Sequence, residues 1–154
     1  MKLVTKYILI LTIISLNLTG QSRIISGRVI DEDLATLPGV MIQNSDTILL
    51  AETDFEGNFT IEIPVSMDTL LVCWIAMEWK TIKLSPNCDA IDIILMYDVI
   101  YDFMTANRID RLRLKRFKKL PELHQKAYEK GLLTTKQPCY EQSFVPIKQR
   151  PLSD

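Results

Sequence analysis

Hydrophobic and polar positions divide this chain into three stretches. Between residues 23 and 96 they alternate in short runs. Phe59, Ile61 and Ile63 are separated by Thr60 and Glu62, the period-two pattern of a half-buried strand. Similar runs, bounded by residues that favour turns, predict strands over 23–31, 39–43, 48–53, 58–63, 70–77, 81–84 and 91–96, with Pro64 stopping the fourth. Residues 70–77, Leu-Leu-Val-Cys-Trp-Ile-Ala-Met, are apolar without alternation, which predicts a strand buried on both faces. A two-layer sandwich buries one face of each sheet, so the C-terminal segment is expected to cover the other. After Tyr97 the period lengthens. Asp98 is a suitable N-cap, and residues 99–120 contain no Gly or Pro and read as helix. At 100° per residue, Arg108, Arg111, Lys115, Lys118 and Lys119 share one third of the circumference. Ile109, Leu112, Phe117 and Leu120 lie opposite, with Leu114 at the margin. Val99, Ile100, Phe103 and Met104 do not continue that stripe, which predicts a kink near Asn107. Pro121 can open a second helix running to about Lys130, with Gly131 as its C-terminal cap. Residues 133–154 hold three prolines and no apolar period, and are expected to be extended, pinned by Cys139-Tyr140 and Phe144.

The turns between the strands carry a more specific pattern. Ser26-Gly27-Arg28-Val29-Ile30-Asp31 is followed by Leu37-Pro38-Gly39-Val40 and then by Thr53-Asp54-x-x-Gly57-x-Phe59-x-Ile61. In that order and spacing they resemble the carboxypeptidase regulatory-like domain over about residues 24–97. The resemblance implies a mainly β fold, a seven-stranded transthyretin-like β-sandwich, here with a C-terminal α-helical appendage. That domain is found beside zinc carboxypeptidases and at the N-terminus of TonB-dependent outer-membrane receptors. Two turns depart from it. Asp33-Leu34-Ala35-Thr36 stands where the family usually has a Gly-containing turn, and Met77-Glu78-Trp79 where many members carry a Gly-Tyr pair. Asp54-x-Glu56-Gly57-Asn58 has the look of a calcium loop but lacks its regular ligand spacing and distant bidentate Glu, so a turn is expected there.

Charge separates the stretches again. Residues 21–104 carry 4 Lys/Arg against 14 Asp/Glu, and residues 105–154 carry 12 against 5, so an acidic body bears a basic tail. Such asymmetry points the tail toward something acidic, which includes the chain's own sandwich. At the other end, Lys2 and Lys6 precede an apolar run over 7–18 and small residues at 19–22, the layout of a secretory signal peptide. The run is shorter than the about 20 residues that span a bilayer, although an uncleaved anchor remains the alternative. No cysteine near the exit suits lipid attachment. The organisation expected is a signal peptide at 1–20, a sandwich at 21–98, a basic amphipathic helical segment at 99–133 and a tail at 134–154, in a protein exported to the periplasm or outer membrane, or secreted.

Three cysteines, Cys73, Cys88 and Cys139, are an odd number. Export permits a disulfide. Cys88 and Cys139 are the candidate pair that would staple the tail to the sandwich, but three reduced thiols are the simpler expectation, with Cys73 a small apolar core residue. The single histidine, His124, excludes a two-histidine zinc site and is expected on a helix surface. The catalytic zinc signature of the carboxypeptidases is missing, and neither a nucleophile elbow nor a glycine-rich phosphate loop is present. No cofactor or metal is expected, and the reading is that of a protein that is not an enzyme.

The function expected is a non-catalytic binding or scaffolding module of the bacterial cell envelope. An accessory of a TonB-dependent uptake system, acting in trans on an outer-membrane receptor, is the alternative the resemblance implies. The basic helix admits four readings: packing on the sandwich with its charges in water, docking to an envelope protein, binding anionic lipid as a membrane-surface protein, and, least fitting in this compartment, nucleic acid. Arg108, Arg111, Lys115, Lys118 and Lys119 are the candidate contact set.

Overall fold

A computed structural model describes residues 21–149; the expected signal peptide and the last five residues lie outside the described residues. The chain is mainly β, with two sheets facing each other. Its strands are β1 (Ser22–Asp31), β2 (Met41–Gln43), β3 (Leu49–Glu52), β4 (Asn58–Pro64), β5 (Thr69–Cys73), β6 (Lys80–Leu84), β7 (Ala90–Leu95) and β8 (Tyr140–Glu141). The smaller sheet has the order β4-β1-β7 and the larger β3-β2-β5-β6-β8. In the smaller sheet β1 runs antiparallel to β4 and parallel to β7. Each of the seven expected strands has a counterpart, but the described residues hold eight strands and not seven, the last contributed by the tail.

The alternation in the sequence becomes the core between the sheets. Ile25 and Val29 from β1, Phe59, Ile61 and Ile63 from β4, Ile91, Ile93 and Leu95 from β7, and Leu70, Val72 and Ile82 from the larger sheet form one buried cluster. The turn motifs lock the strand ends over it. The Thr53 hydroxyl donates to Leu37 O at 2.6 Å and accepts from Val40 N at 2.9 Å, tying the Leu37-Pro38-Gly39-Val40 turn to the end of β3. Asp54 Oδ1 accepts the backbone N–H groups of Glu56 (3.0 Å) and Asn58 (2.7 Å), and this holds its carboxyl below the ordinary carboxylate range. The segment is therefore an Asx turn closing the β3–β4 connection.

Two helices, α1 (Ala106–Phe117) and α2 (Leu120–Glu129), form a third layer on the outer face of the smaller sheet. There Ile30, Ile94 and Met96 pack with Leu120, Ala127 and Leu133 in a second cluster. This corrects the expectation for residues 70–77. The C-terminal segment does cover the outer face of a sheet, but that sheet is the one containing β1 and β7, and β7 is the strand buried on both sides. The strand predicted over 70–77 ends at Cys73. Beyond it the chain turns, with Met77 N bonded to Trp74 O and Ala76 at φ 63°, and Ile75 is left exposed. The long apolar run is part strand and part turn.

The first helix also starts later than expected. Residues 99–104 are not helical, Thr105 is the N-cap position, and the Asp98 backbone N–H is bonded to Ala76 O at 2.8 Å. Asp98 thus belongs to the sandwich edge and not to the helix. The second helix follows its sequence signals. Pro121 lies in its first turn, and its end is a Schellman motif, with Gly131 N bonded to Tyr128 O and Leu132 N to Ala127 O.

The tail returns to the larger sheet. β8 pairs with β6 through Lys83 opposite Glu141 and Leu84 opposite Tyr140. Cys88 and Cys139 are joined in a disulfide, with Cα atoms 5.9 Å apart, so the expectation of three reduced thiols is corrected; Cys73 alone is a free thiol, and it is buried.

Candidate interaction surface

The helix layer is held on the sandwich by two arginines that face inward. The α1 stripe turned to the sheets runs through Ala106, Ile109, Asp110, Arg113, Phe117 and, just beyond the helix, Leu120, at the three-and-four spacing of one helix face. Arg113 is its most buried member, 3% exposed. Its Nε and Nη2 bond the two oxygens of Glu78 at 2.7 and 2.8 Å, a bidentate pair. Its Nη1 bonds Asp110 Oδ1 at 2.9 Å and Val145 O at 3.0 Å. Glu78 is also buried, so neither charge has water to fall back on. The Glu78 bonds raise the Arg113 pKa further above its ordinary value, against the burial. The Phe144 ring lies 5.0 Å from the guanidinium carbon and packs edge-on against Phe117, so the tail is gathered into the same joint. One turn on, Arg116 pairs with Glu32 and donates to Tyr97 O at 3.0 Å.

A small cavity of about 100 Å³ opens beside this joint, lined by Leu71, Trp79, Lys80, Phe117 and Phe144 among others. Lys80 is buried and its ammonium donates to Ile94 O, capping the free edge of β7. Burial pulls its pKa from 10.5 down to about 7, against the opposing pull of the Glu78 and Glu32 carboxylates.

The second joint is built on Asp92, which is wholly buried on the helix side of β7. Its Oδ2 accepts both backbone N–H groups and both hydroxyls of Thr134 and Thr135, at 2.6–3.0 Å. His124 lies in the same layer at 2% exposure, which corrects its expected surface position. It belongs to the inward stripe of α2 with Leu120 and Ala127. Desolvation lowers its pKa, and the Lys136 carbonyl, the Asp92 carboxylate and the Asp92 carbonyl oppose that shift. The acid, the imidazole and two hydroxyls are thus neighbours, but the hydroxyls donate to the acid and not to the histidine. The arrangement lacks the nucleophile–base bond of a hydrolase. A cavity of about 310 Å³ lies nearby, between Arg28, Asn58, Thr60 and Thr134. Arg28 spans it, donating to Asn58 Oδ1 at 2.8 Å and Leu132 O at 2.9 Å. Among the described residues no group of three or more His, Cys, Asp or Glu could hold a metal ion.

All five candidate contact residues point away from these joints. Arg108, Arg111 and Lys115 are exposed on α1, Lys118 is exposed at its C-cap, and Lys119 is exposed at the start of α2. Leu112, expected on the inward side, is 37% exposed and shares this outer face. What sequence reasoning missed is the pair Arg113 and Arg116. Their spacing from Ile109 and Phe117 places both on the inward side, but an arginine there reads as a solvated charge until its acidic partner, 35 or 84 residues away, is seen beside it.

Preceding α1, residues 98–104 form a loop whose large side chains, the half-buried Tyr101 apart, reach into water. Ile100 is 87% and Phe103 fully exposed, with Val99 at 44%; Ile75, in the turn bonded to this loop through Ala76 O, is 84% exposed. No helix among the described residues is long and apolar enough to cross a membrane. Compared with protein-family models and with curated proteins, the chain gives no match.

Proposed function

We propose that this chain is an exported, non-catalytic binding module of the bacterial envelope, in which the sandwich is the carrier and the outer side of α1 is the docking element. One observation carries this reading: the helix divides its cations. Arg113 and Arg116 are consumed in holding α1 to Glu78 and Glu32, whereas Arg108, Arg111, Lys115, Lys118 and Lys119 all remain in solvent on the opposite side. Packing alone would be served by the inward pair, and a free basic face steers association with an acidic partner.

The likeness to the carboxypeptidase regulatory-like, transthyretin-like domain supports the carrier role. Gly27, Thr53, Asp54 and Gly57 of its motifs each make a specific backbone contact, and the Asp33-Leu34-Ala35-Thr36 turn, which lacks the family's glycine, holds a left-handed residue instead, Leu34 (φ 69°). The placement of that domain on TonB-dependent receptors makes an outer-membrane receptor one partner of suitable kind. The test is an affinity capture from envelope extract by the wild-type chain and by a variant with the five outer cations changed to Gln. A protein retained by the wild type and lost by the variant supports the reading. Retention by both moves the contact to the sandwich, where β3 is an edge strand with Ile48 and Leu49 exposed. Capture by neither removes the protein-partner reading.

A further inference from the structure

We infer that the docking element seats on an anionic phospholipid bilayer, with Ile100 and Phe103 entering the membrane as an apolar wedge and the cations of α1 resting on the headgroups. The inference rests on the reading of the α1 side as the docking element and names what it docks to.

The argument begins with exposure. Single apolar side chains on a surface are ordinary, but several together mark an interaction site. Here Val99, Ile100 and Phe103 are exposed within one short loop, and the Asp98 N–H bond to Ala76 O (2.8 Å) sets the turn carrying the exposed Ile75 against the start of that loop. Ile100 and Phe103 have almost no protein around them. Phe103 is moreover at φ 59°, a conformation rare for a bulky residue and held at a cost in local backbone energy. The chain enters α1 three residues later, and Arg108 and Arg111 stand in the first two turns, exposed, with Leu112 beside them and Lys115 one turn on.

A protein partner for such a loop must offer a matching cleft. A bilayer needs only depth and charge, and it supplies both: acyl chains for the exposed apolar loop, phosphates for the exposed cations that follow it in the chain. Neither signal suffices singly, since one apolar insertion gives marginal binding and a basic patch is screened by salt, whereas the two together anchor stably. Asp98 and Asp102 lie in the same loop and weaken the field, but five exposed cations outnumber them. The interfacial position also suits aromatic rings, and Tyr101, half-buried beside Arg116, stands next to the wedge.

The test uses the full chain and vesicles of equimolar phosphatidylglycerol and phosphatidylcholine, against vesicles of phosphatidylcholine alone. All proteins compared share the N-terminal segment, so differences between variants report on the loop and helix. Cosedimentation is expected to be strong on the anionic vesicles, weak on the neutral ones, and reduced by 0.5 M salt. Ile100→Ser and Phe103→Ser are each expected to weaken binding about tenfold, the loss that withdrawing a side chain of that size from hydrocarbon entails. Changing the five cations to Gln removes the preference for anionic lipid. Both sets of residues are in water, so the variants keep the melting temperature of the parent. As a local readout, the Phe103→Trp variant is expected to shift its emission to the blue on binding and to be quenched by lipids brominated in the acyl chains. Equal binding to both vesicle types, loop variants that bind like the parent, or a Phe103→Trp variant whose emission is not quenched each overturn the inference. A protein captured through the five cations by a chain that ignores vesicles overturns the lipid assignment and leaves the docking element standing. If the Gln variant is unchanged in capture and in vesicle binding, both fail.

Discussion

Arg113 is the residue on which the attachment of the helix layer depends most, and its replacement by Met measures that dependence. The guanidinium makes a bidentate bond to Glu78, with side-chain exposures of 4% and 9% for the two partners. Removing one member of a buried ion pair leaves the other charged and unsolvated, which costs about 3–5 kcal/mol. Two features place the cost at the lower end. Asp110, the third group bonded to Arg113, is 20% exposed in its side chain and can turn to water. Lys80 is near enough to Glu78 for the carboxylate to raise its pKa, and it can take up part of the orphaned charge. Against this, Met also forfeits the bond to Val145 O and the stacking on Phe144, which tether the tail. The net expectation is a loss of about 3 kcal/mol, equivalent to about 10 °C in melting temperature for a domain of this size.

Denaturant titration gives the magnitude, and amide exchange shows where the loss falls. The amides of α1 are expected to exchange faster by more than those of β1 and β4, since the sheet core does not contain Arg113. The companion variant Glu78→Leu with Arg113→Met removes both charges, and replacing a buried pair by apolar residues of similar volume is near neutral. It should lie within about 1 kcal/mol of the parent, so the effects of Arg113→Met and Glu78→Leu are strongly non-additive. The reasoning is refuted if Arg113→Met costs under about 1 kcal/mol, or if the double variant is as unstable as the sum of the singles.

Three further outcomes follow from the same geometry. Because burial lowers the Lys80 pKa to about 7 from 10.5, the folded chain sheds this proton before the unfolded chain does, so stability should climb as pH rises through that window; Lys80→Met should flatten the climb, whose ceiling is on the order of 5 kcal/mol, as read by melts at pH 7 and pH 9.5. A Cβ on Gly27 would lie 1.7 Å from Ile91 O, and one on Gly57 2.5 Å from Val29 O with the backbone at φ 79°; Gly57→Ala should cost at least about 2 kcal/mol, and Gly27→Ala, which forces β1 and β7 apart, should cost more, as measured by chemical unfolding. The Cys88–Cys139 disulfide closes a separation of 51 residues, which in the chain-entropy picture contributes about 4 kcal/mol; Cys139→Ser should lower the melting temperature by about 13 °C and free β8, with Tyr140 becoming accessible to proteases.

Much of this architecture is legible in the sequence because it is local. Short apolar runs bounded by turn residues marked the positions of seven of the eight strands, though not their ends, and the turn motifs placed Thr53, Asp54 and Gly57 where only their side chains, or the lack of one, satisfy the backbone. Pro121 and Gly131 marked the second helix in the same way, since capping is chemistry between near neighbours. The five solvent-facing cations were also legible, because a helix face is set by angle alone. What tertiary structure decided is which surfaces meet. Residues 70–77 are apolar throughout and residues 91–96 are apolar but for Asp92, and only the folded chain shows that the helices lie over β7, leaving Ile75 in water. Asp98 has the chemistry of a cap, but the folded chain ties it to the sandwich edge at Ala76 O and puts Phe103 in the left-handed region, so the helix starts only after Thr105. Arg113, His124 and Asp92 look like surface residues in any window of sequence, and their burial exists only because Glu78, the α2 stripe and the Thr134-Thr135 pair arrive from distant parts of the chain. Charge and periodicity are properties of a segment; desolvation is a property of the packed molecule, and it is desolvation that sorted these cations into those that hold the helix and those left free to bind.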